Sequence, residues 1–468
     1  YYCVMKKKTE ETIFALSTPY GQSAIAVVRI SGNMSKMIAK SICQINKIEP
    51  RKATFTKFYD KQKKIIDSGI MIFFNSPFSF TGEDMLELQC HGGISIINKM
   101  LLELSLIENC RYASPGEFSR RAFANKKNDL IHYEGLANLI ASETENQRII
   151  ATKQSFGESE NIYRTWRESL LESIALLDAA IDFSDENETF SLNKVEKSLN
   201  EVVKKATNTI ELAKNNQEIL FGTKVLIFGP PNSGKSSLFN LLSREDRAIT
   251  SDEAGTTTDQ NSNVLEISGI RTVITDTAGL RNASRNVEKI GVEKTQESIK
   301  QRNKFILVLS PDCFSDENCK LIESTLKNIN TKKTIVIFNK NDLPDFQTGK
   351  NLWISKIKQL KKLKNISISC TLDIKNVNIL VELNNFISKN LLTIDTLGND
   401  DYFFSEKRQI DIVQKIVVHI KDALMSLDDL EISVNYLDQA VKLLDELFGK
   451  NNYEDRLGYI FDRFCIGK

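Results

Sequence analysis

Three short apolar runs between residues 224 and 342 each end on a string of small and polar residues, and this repetition limits the fold more than any other property of the chain. Lys224-Val-Leu-Ile-Phe228 leads into Gly229-Pro-Pro-Asn-Ser-Gly-Lys-Ser236. Arg271-Thr-Val-Ile-Thr275 leads into Asp276-Thr-Ala-Gly279, and Thr334-Ile-Val-Ile-Phe338 into Asn339-Lys-Asn-Asp342. The runs are rich in strand formers, while Ser237-Leu-Phe-Asn-Leu-Leu242 continues the first of them as a helix. Polar loops at the carboxyl ends of several strands are what a doubly wound parallel sheet offers its ligand. An α/β P-loop domain is therefore expected here.

The loop chemistry narrows the ligand. In the first string, small residues let backbone N–H groups curl around phosphates, Lys235 adds a mobile positive charge, and Ser236 supplies a hydroxyl for Mg2+. The Asp342 carboxylate can accept two hydrogen bonds from the N1 and N2 edge of guanine, which adenine cannot donate. ATP is disfavoured by a factor on the order of 10⁴. A fourth string, Gly255-Thr-Thr-Thr-Asp259, falls between the first two in the order a GTP/GDP pocket requires. The candidate contacts are Asn232, Ser233, Gly234, Lys235, Ser236, Ser237, Asp276, Thr277, Ala278, Gly279, Asn339, Lys340 and Asp342.

At 468 residues the chain is too long for one ordinary domain. Its 62 basic and 61 acidic residues nearly cancel, so any RNA contact must be a local patch. The eight cysteines show no Cys-x-x-Cys spacing and only three histidines accompany them, which argues against a zinc site or a disulfide framework and fits a reducing compartment. No apolar run approaches the roughly 20 residues that span a bilayer, and no signal-peptide core is visible at the start. A soluble, cytoplasmic protein without stable membrane insertion is expected.

Residues 12–119 alternate short strands with turns, as in Ala24-Ile-Ala-Val-Val-Arg-Ile30, Gly69-Ile-Met-Ile-Phe-Phe74 and Met85-Leu-Glu-Leu88, which reads as an α+β unit. Helical stripes follow: Leu170, Ile174, Leu177 and Ile181, then Val195, Leu199, Val202 and Ala206. Similar spacing returns after the P-loop segment in Val413, Ile416, Val417, Ile420 and Leu424, and in Leu437, Val441, Leu444 and Leu447. Neither helical half buries its stripes alone, so the economical arrangement inserts the P-loop module into one discontinuous helical domain; two independent bundles are the alternative. The expected divisions are 1–120, 121–218 (first helical part), 219–384 (P-loop domain) and 385–468 (second helical part).

Further strings carry a resemblance. Thr81-Gly-Glu-Asp84, Cys90-His-Gly-Gly93, Pro115-Gly-Glu-Phe118, Arg121-Ala-Phe123, Ala180-Ile-Asp-Phe183, Asp276-Thr-Ala-Gly-Leu-Arg281 and the terminal Cys465-Ile-Gly-Lys468 occur in order over nearly the whole length. In this series the chain resembles the MnmE (TrmE) family of tRNA-modification GTPases. The resemblance implies an N-terminal folate-binding domain that forms the homodimer, a discontinuous all-α domain, and an inserted Ras-like GTPase domain. It further implies C5 modification, of the carboxymethylaminomethyl type, at the tRNA wobble uridine. The implied partners are tRNA and an FAD protein of the MnmG type, joined in a heterotetramer, with a tetrahydrofolate derivative, 5-formyl or 5,10-methylene, as one-carbon donor. The family's folate contacts fall on Arg29, Glu87, Lys127 and Lys468. Each alone would read as a solvated or ion-paired charge. Cys465 is a candidate nucleophile, weighed against the small packed residue that isolated cysteines usually are.

Hydrolysis needs parts that the Ras pattern does not supply. Leu280 follows the Asp276 string, so an apolar side chain stands where Ras has a water-orienting glutamine. The resemblance points to Glu288 for that role; by itself it would read as a helix-surface glutamate paired with Lys289 or Lys294. In place of an arginine finger the resemblance implies K+, held by the Asn232 side chain and the backbone carbonyls of Ser251, Glu253 and Thr256, with Thr257 on Mg2+. Three departures are visible. Thr258 stands where the family has arginine, Glu253 where an apolar residue is common, and Ser369-Cys370 where the guanine loop commonly reads Ser-Ala. A rival reading is a GTP-dependent RNA-binding switch in ribosome assembly, without one-carbon chemistry. It predicts a basic RNA-binding module near the terminus, where Cys465-Ile-Gly-Lys468 stands instead. A folate-binding regulator with vestigial GTPase activity is a third, and the intact Lys235, Asp276 and Asp342 argue against it.

Overall fold

A computed structural model describes residues 11–156, 159–182, 192–243, 262–276, 304–371, 377–392, 404–450 and 467. The chain divides into two compact units, one of residues 1–137, 154–203 and 412–468, the other of 138–153 and 204–411.

In the first unit, six strands form one sheet: β1 (Thr12–Leu16), β2 (Ser23–Ser31), β3 (Thr54–Tyr59), β4 (Ile65–Phe74), β5 (Met85–Gly92) and β6 (Cys110–Tyr112), in the order β3-β4-β5-β2-β1-β6. Only the β1–β6 pair is parallel. The period-2 residues Ala26, Val28 and Ile30 of β2 and Leu86, Leu88 and Cys90 of β5 face one core. Helices α1 (Ser35–Cys43) and α2 (Ile94–Ser105) cover it with Ile38, Ile42, Ile97 and Met100. The three strands expected from sequence appear, each extended by two to four residues. α3 (Glu117–Ala124) carries Arg121, which pairs with Glu83 at 3.0 Å and Glu117 at 3.1 Å, while Arg111 meets Glu117 at 2.7 Å. Ser31 donates to Glu83 at 2.7 Å. Glu83, Glu117 and Arg121, three residues of the family strings, thus frame the domain.

Four helices follow: α4 (Leu130–Ile140), α5 (Glu145–Phe156), α6 (Ser159–Asp182) and α7 (Leu192–Leu220). Then comes the second sheet, with β7 (Thr223–Phe228), α8 (Lys235–Leu242), β8 (Ser262–Ile267), β9 (Ile270–Asp276), β10 (Lys304–Leu309), α9 (Asp316–Lys327), β11 (Thr334–Phe338), α10 (Phe346–Lys356), β12 (Lys364–Ser367) and α11 (Val377–Leu391). Its order is β12-β11-β10-β7-β9-β8, parallel throughout except for the β8–β9 hairpin. One face packs Val225, Ile227, Ile306 and Ile337 against Leu238 and Leu241 of α8 and Leu383 and Ile387 of α11. The other packs Leu226, Phe305, Leu307 and Phe338 against Ile322 of α9 and Trp353 of α10. Burial on both faces explains why these strands read as unbroken apolar runs rather than alternating ones. In the same unit Gln147 donates to the Leu220 carbonyl at 2.8 Å, and Ile150 packs with Ile219 and Leu220.

After the second sheet come α12 (Lys407–Met425) and α13 (Leu430–Leu447). α13 packs against α6, where Tyr163 donates to Asp445 at 2.8 Å and its ring lies tilted against Phe448 with centroids 5.1 Å apart. Helices far apart in the chain thus share one core, and the helical domain is discontinuous. The stripe of α6 departs from the one expected: Ile162, Trp166, Leu170, Ser173 and Leu177 are buried, while Ile174 and Ile181 are half-buried. On α12 Ala423 rather than Leu424 closes the buried face. The remaining stripe residues are buried as expected.

Candidate nucleotide site

The Walker loop leaves β7 at the middle of the sheet and enters α8, so it lies where successive connections diverge to opposite sides. Gly234 has φ +91°, and a Cβ there would come within 1.9 Å of the Asn339 amide nitrogen. Only glycine fits so close an approach. Asn232 also adopts a left-handed conformation, with φ +60°.

Four consecutive carbonyls of the loop are each held by a side chain. Lys235 Nζ donates to Pro230 at 2.7 Å, Cys313 Sγ to Pro231 at 3.0 Å, Lys340 Nζ to Asn232 at 2.9 Å and Asn339 Nδ2 to Ser233 at 3.1 Å. Carbonyl and N–H point opposite ways across one peptide plane, so anchoring these oxygens turns the N–H groups of Asn232 and Gly234 away from the anchors. That geometry suits a phosphate nest. Ser233 Oγ is buried without a hydrogen-bond partner among the described residues, so a polar atom is held ready inside the loop. Ser236 and Ser237 are exposed on the first turn of α8, where N–H groups and the helix dipole favour an anion.

Asn339 joins the base side to the phosphate side. Its N–H donates to Leu309, and its Oδ1 accepts from Lys340 N at 2.8 Å and Cys370 N at 3.0 Å. Buried Ser369 and Cys370 are thereby held beside the loop that carries exposed Asp342. Lys340 donates to Asp312 at 2.6 Å in addition to Asn232. Burial pushes the Asp312 carboxyl up, but the Lys340 hydrogen bond and charge and the Ser310 hydroxyl outweigh it and hold it below the usual range. Asp312 and Cys313 were not singled out by the sequence, although the apolar run Lys304-Phe-Ile-Leu-Val-Leu309 before them follows the pattern of the other three strings.

β9 ends at Asp276, in register with Ile227 beside the Walker loop; the Asp276 side chain lies outside the described residues. So do Ser251, Glu253, Thr256, Thr257, Thr258, Thr277, Ala278, Gly279, Glu288, Cys465 and Lys468. Among the described residues no group of three His, Cys, Asp or Glu could hold a metal ion. Mg2+ in a nucleotide site needs few protein ligands, because substrate phosphates and waters supply the rest.

In the first unit Arg29 and Glu87 are register partners on β2 and β5, joined by two hydrogen bonds of 2.8 and 3.0 Å. The Arg29 guanidinium lies 5.5 Å from the Phe80 ring centroid and 6.0 Å from that of Phe118. Ala15 of β1 is the other register neighbour of Arg29, and the adjoining Ser17 donates to the Gly467 carbonyl at 3.1 Å. Gly467 therefore meets the chain just after β1, near the Arg29–Glu87 pair. Lys127 is exposed and donates to the Pro77 carbonyl at 2.9 Å; no hydrogen bond joins it to that pair among the described residues.

Among the described residues no helix is long and apolar enough to cross a membrane. Residues 12–127 match the family described as GTP-binding protein TrmE N-terminus, and residues 130–465 match the MnmE helical domain, a match that runs past the second sheet on both sides. The tRNA modification GTPase MnmE of Aliarcobacter butzleri is 35% identical over 462 residues, covering 98% of this chain and 99% of that protein. Its namesakes in Ehrlichia chaffeensis and Aquifex aeolicus are 35% and 36% identical over 468 residues, covering 98% of this chain and 100% of each.

Proposed function

The chain belongs to the MnmE family of tRNA modification GTPases, and on that premise we propose that it is a potassium-activated GTP hydrolase acting in C5 modification, of the carboxymethylaminomethyl type, at the tRNA wobble uridine. The observation that carries the potassium reading is Asn232. Its backbone is left-handed and its carbonyl is engaged by Lys340, which leaves an exposed amide side chain on the Walker loop as the group able to meet a cation. Carbonyls of Ser251, Glu253 and Thr256 complete the set, and Ser236 with Thr257 serves Mg2+. Bound there, K+ would supply the positive charge that a guanidinium supplies in other GTPases, beside the Mg2+ that they share.

The chain's own residues do the rest. Lys235 exchanges its Pro230 carbonyl for the phosphates, Glu288 orients the attacking water, and Asp342 reads the guanine edge. Asp276, Thr277, Ala278 and Gly279 border the γ-phosphate. Arg29 and Glu87, with Lys127 and Lys468, bind a tetrahydrofolate one-carbon donor, 5-formyl or 5,10-methylene. Glu87 pairs with pterin donors and the cations meet the glutamate tail; the paired charges beside Phe80 and Phe118 suit a flat, polar-edged ring. In this reading residues 1–120 bind folate and form the homodimer, 219–384 form the GTPase, and 121–218 with 385–468 form the helical domain. An FAD protein of the MnmG type joins in a heterotetramer on tRNA, in the cytoplasm.

GTP turnover by the purified protein in potassium and in sodium tests this. Potassium is expected to raise the rate, and Glu288→Ala to abolish most of it. Equal rates in both salts together with an unimpaired Glu288→Ala variant would refute the mechanism.

A further inference from the structure

The turn between β10 and α9 lies outside the nucleotide strings and has no role in the proposed mechanism. It is built as a rigid platform. Trp353 Nε1 donates to the Ser310 carbonyl at 2.9 Å and Asn318 Nδ2 to the Cys313 carbonyl at 2.8 Å. Ser315 caps α9 by accepting from Asn318 N at 3.1 Å. On α10, Gly349 comes so near that a Cβ would lie 2.5 Å from the Pro311 ring. Two helices therefore fix the turn from behind.

Its front reaches the Walker loop twice. Buried Cys313 accepts from Ser310 Oγ at 3.1 Å and donates to the Pro231 carbonyl. Asp312 grips Lys340, whose ammonium donates to the next carbonyl, Asn232. Lys340 itself sits at φ +63°, a conformation costly for a lysine that must be held by its contacts. Without Asp312 the ammonium is free to leave the Asn232 carbonyl for water.

From this geometry we infer that Asp312 and Cys313 are positioning residues for nucleotide binding: they brace two successive Walker-loop carbonyls and so set how fast GDP leaves. The inference deepens the reading of this site as a guanine-nucleotide pocket and rests on it. The Asp312–Lys340 pair is partly exposed, so its effect is bounded by that of surface ion pairs.

The test is release of a fluorescent GDP analogue from the full-length protein, with thermal stability of the nucleotide-free protein measured alongside. Asp312→Ala is expected to speed release about fivefold, which corresponds to about 1 kcal/mol. Asp312→Glu should restore most of the wild-type rate, and Cys313→Ala should speed release independently. A wild-type release rate in both Asp312→Ala and Cys313→Ala overturns the inference, as does faster release that tracks lost thermal stability and is not restored by Asp312→Glu. Failure of the wild type to bind the analogue would instead overturn the nucleotide reading itself. If wild-type turnover responds to potassium, the potassium concentration for half activation should also rise in Asp312→Ala, because Asn232 is the residue whose backbone is loosened.

Discussion

At the scale of single residues the nucleotide loop tolerates almost no change in volume or polarity. Gly234→Ala places a methyl group on the Asn339 amide, so the bond to Ser233 and the tie to Cys370 are lost together. We expect that variant to lose nucleotide binding, measured by calorimetry with GDP, while the first sheet keeps its stability. Asp342→Ala removes two charge-assisted hydrogen bonds, each worth about 1.5–3 kcal/mol, so GDP should bind at least ~100-fold more weakly. Affinity within tenfold of wild type would remove Asp342 as the base reader. Gly234, Lys235, Asn339 and Asp342 could be read from the sequence because backbone approach and base recognition admit few side chains. Asp312 could not, because an aspartate beside a turn is ordinary and its partner is supplied by another strand's loop.

Secondary-structure elements divide along similar lines. β7, β9 and β11 were legible because burial on both faces favours runs of apolar and β-branched residues and each run ends on a motif, whereas β10, equally buried, carried no motif and passed unnoticed. α6 shows where periodicity fails. Ser173 is buried because its hydroxyl donates back to the Ser169 carbonyl at 2.8 Å, so a polar residue occupies a core position without an unpaired group. Choosing apolar residues by spacing therefore shifted the stripe to Ile174. Leu170→Ala should cost about 2–5 kcal/mol by urea unfolding, as for buried leucines generally, and Ile174→Ala clearly less. Equal losses would restore the stripe that the sequence suggested.

For the molecule as a whole, the frame of the first domain responds to acid. Burial pushes the Glu117 carboxyl up, but the Arg111 hydrogen bond, the Ser114 N–H and the charges of Arg121 and Arg111 outweigh it and bring it to about 2, against 4.5 unfolded. A carboxyl lowered in this way stabilises the fold fully above about pH 4.5, and that contribution fades as the pH falls toward 2. Protection of the first sheet against hydrogen exchange, taken relative to the intrinsic rate at each pH, should therefore fall on acidification through this window, and Glu117→Gln should flatten the dependence while lowering protection at neutral pH. Sequence by itself determined the nucleotide, the sheet class and the family, because phosphate loops, base recognition and two-sided burial each demand particular residue types at particular spacings. Only the tertiary structure decided which helical stripe is buried, that α13 closes on α6 from the far end of the chain, and that a turn after β10 braces the Walker loop. Those outcomes depend on pairing between distant segments, and a partner brought in by folding leaves no local periodicity to read.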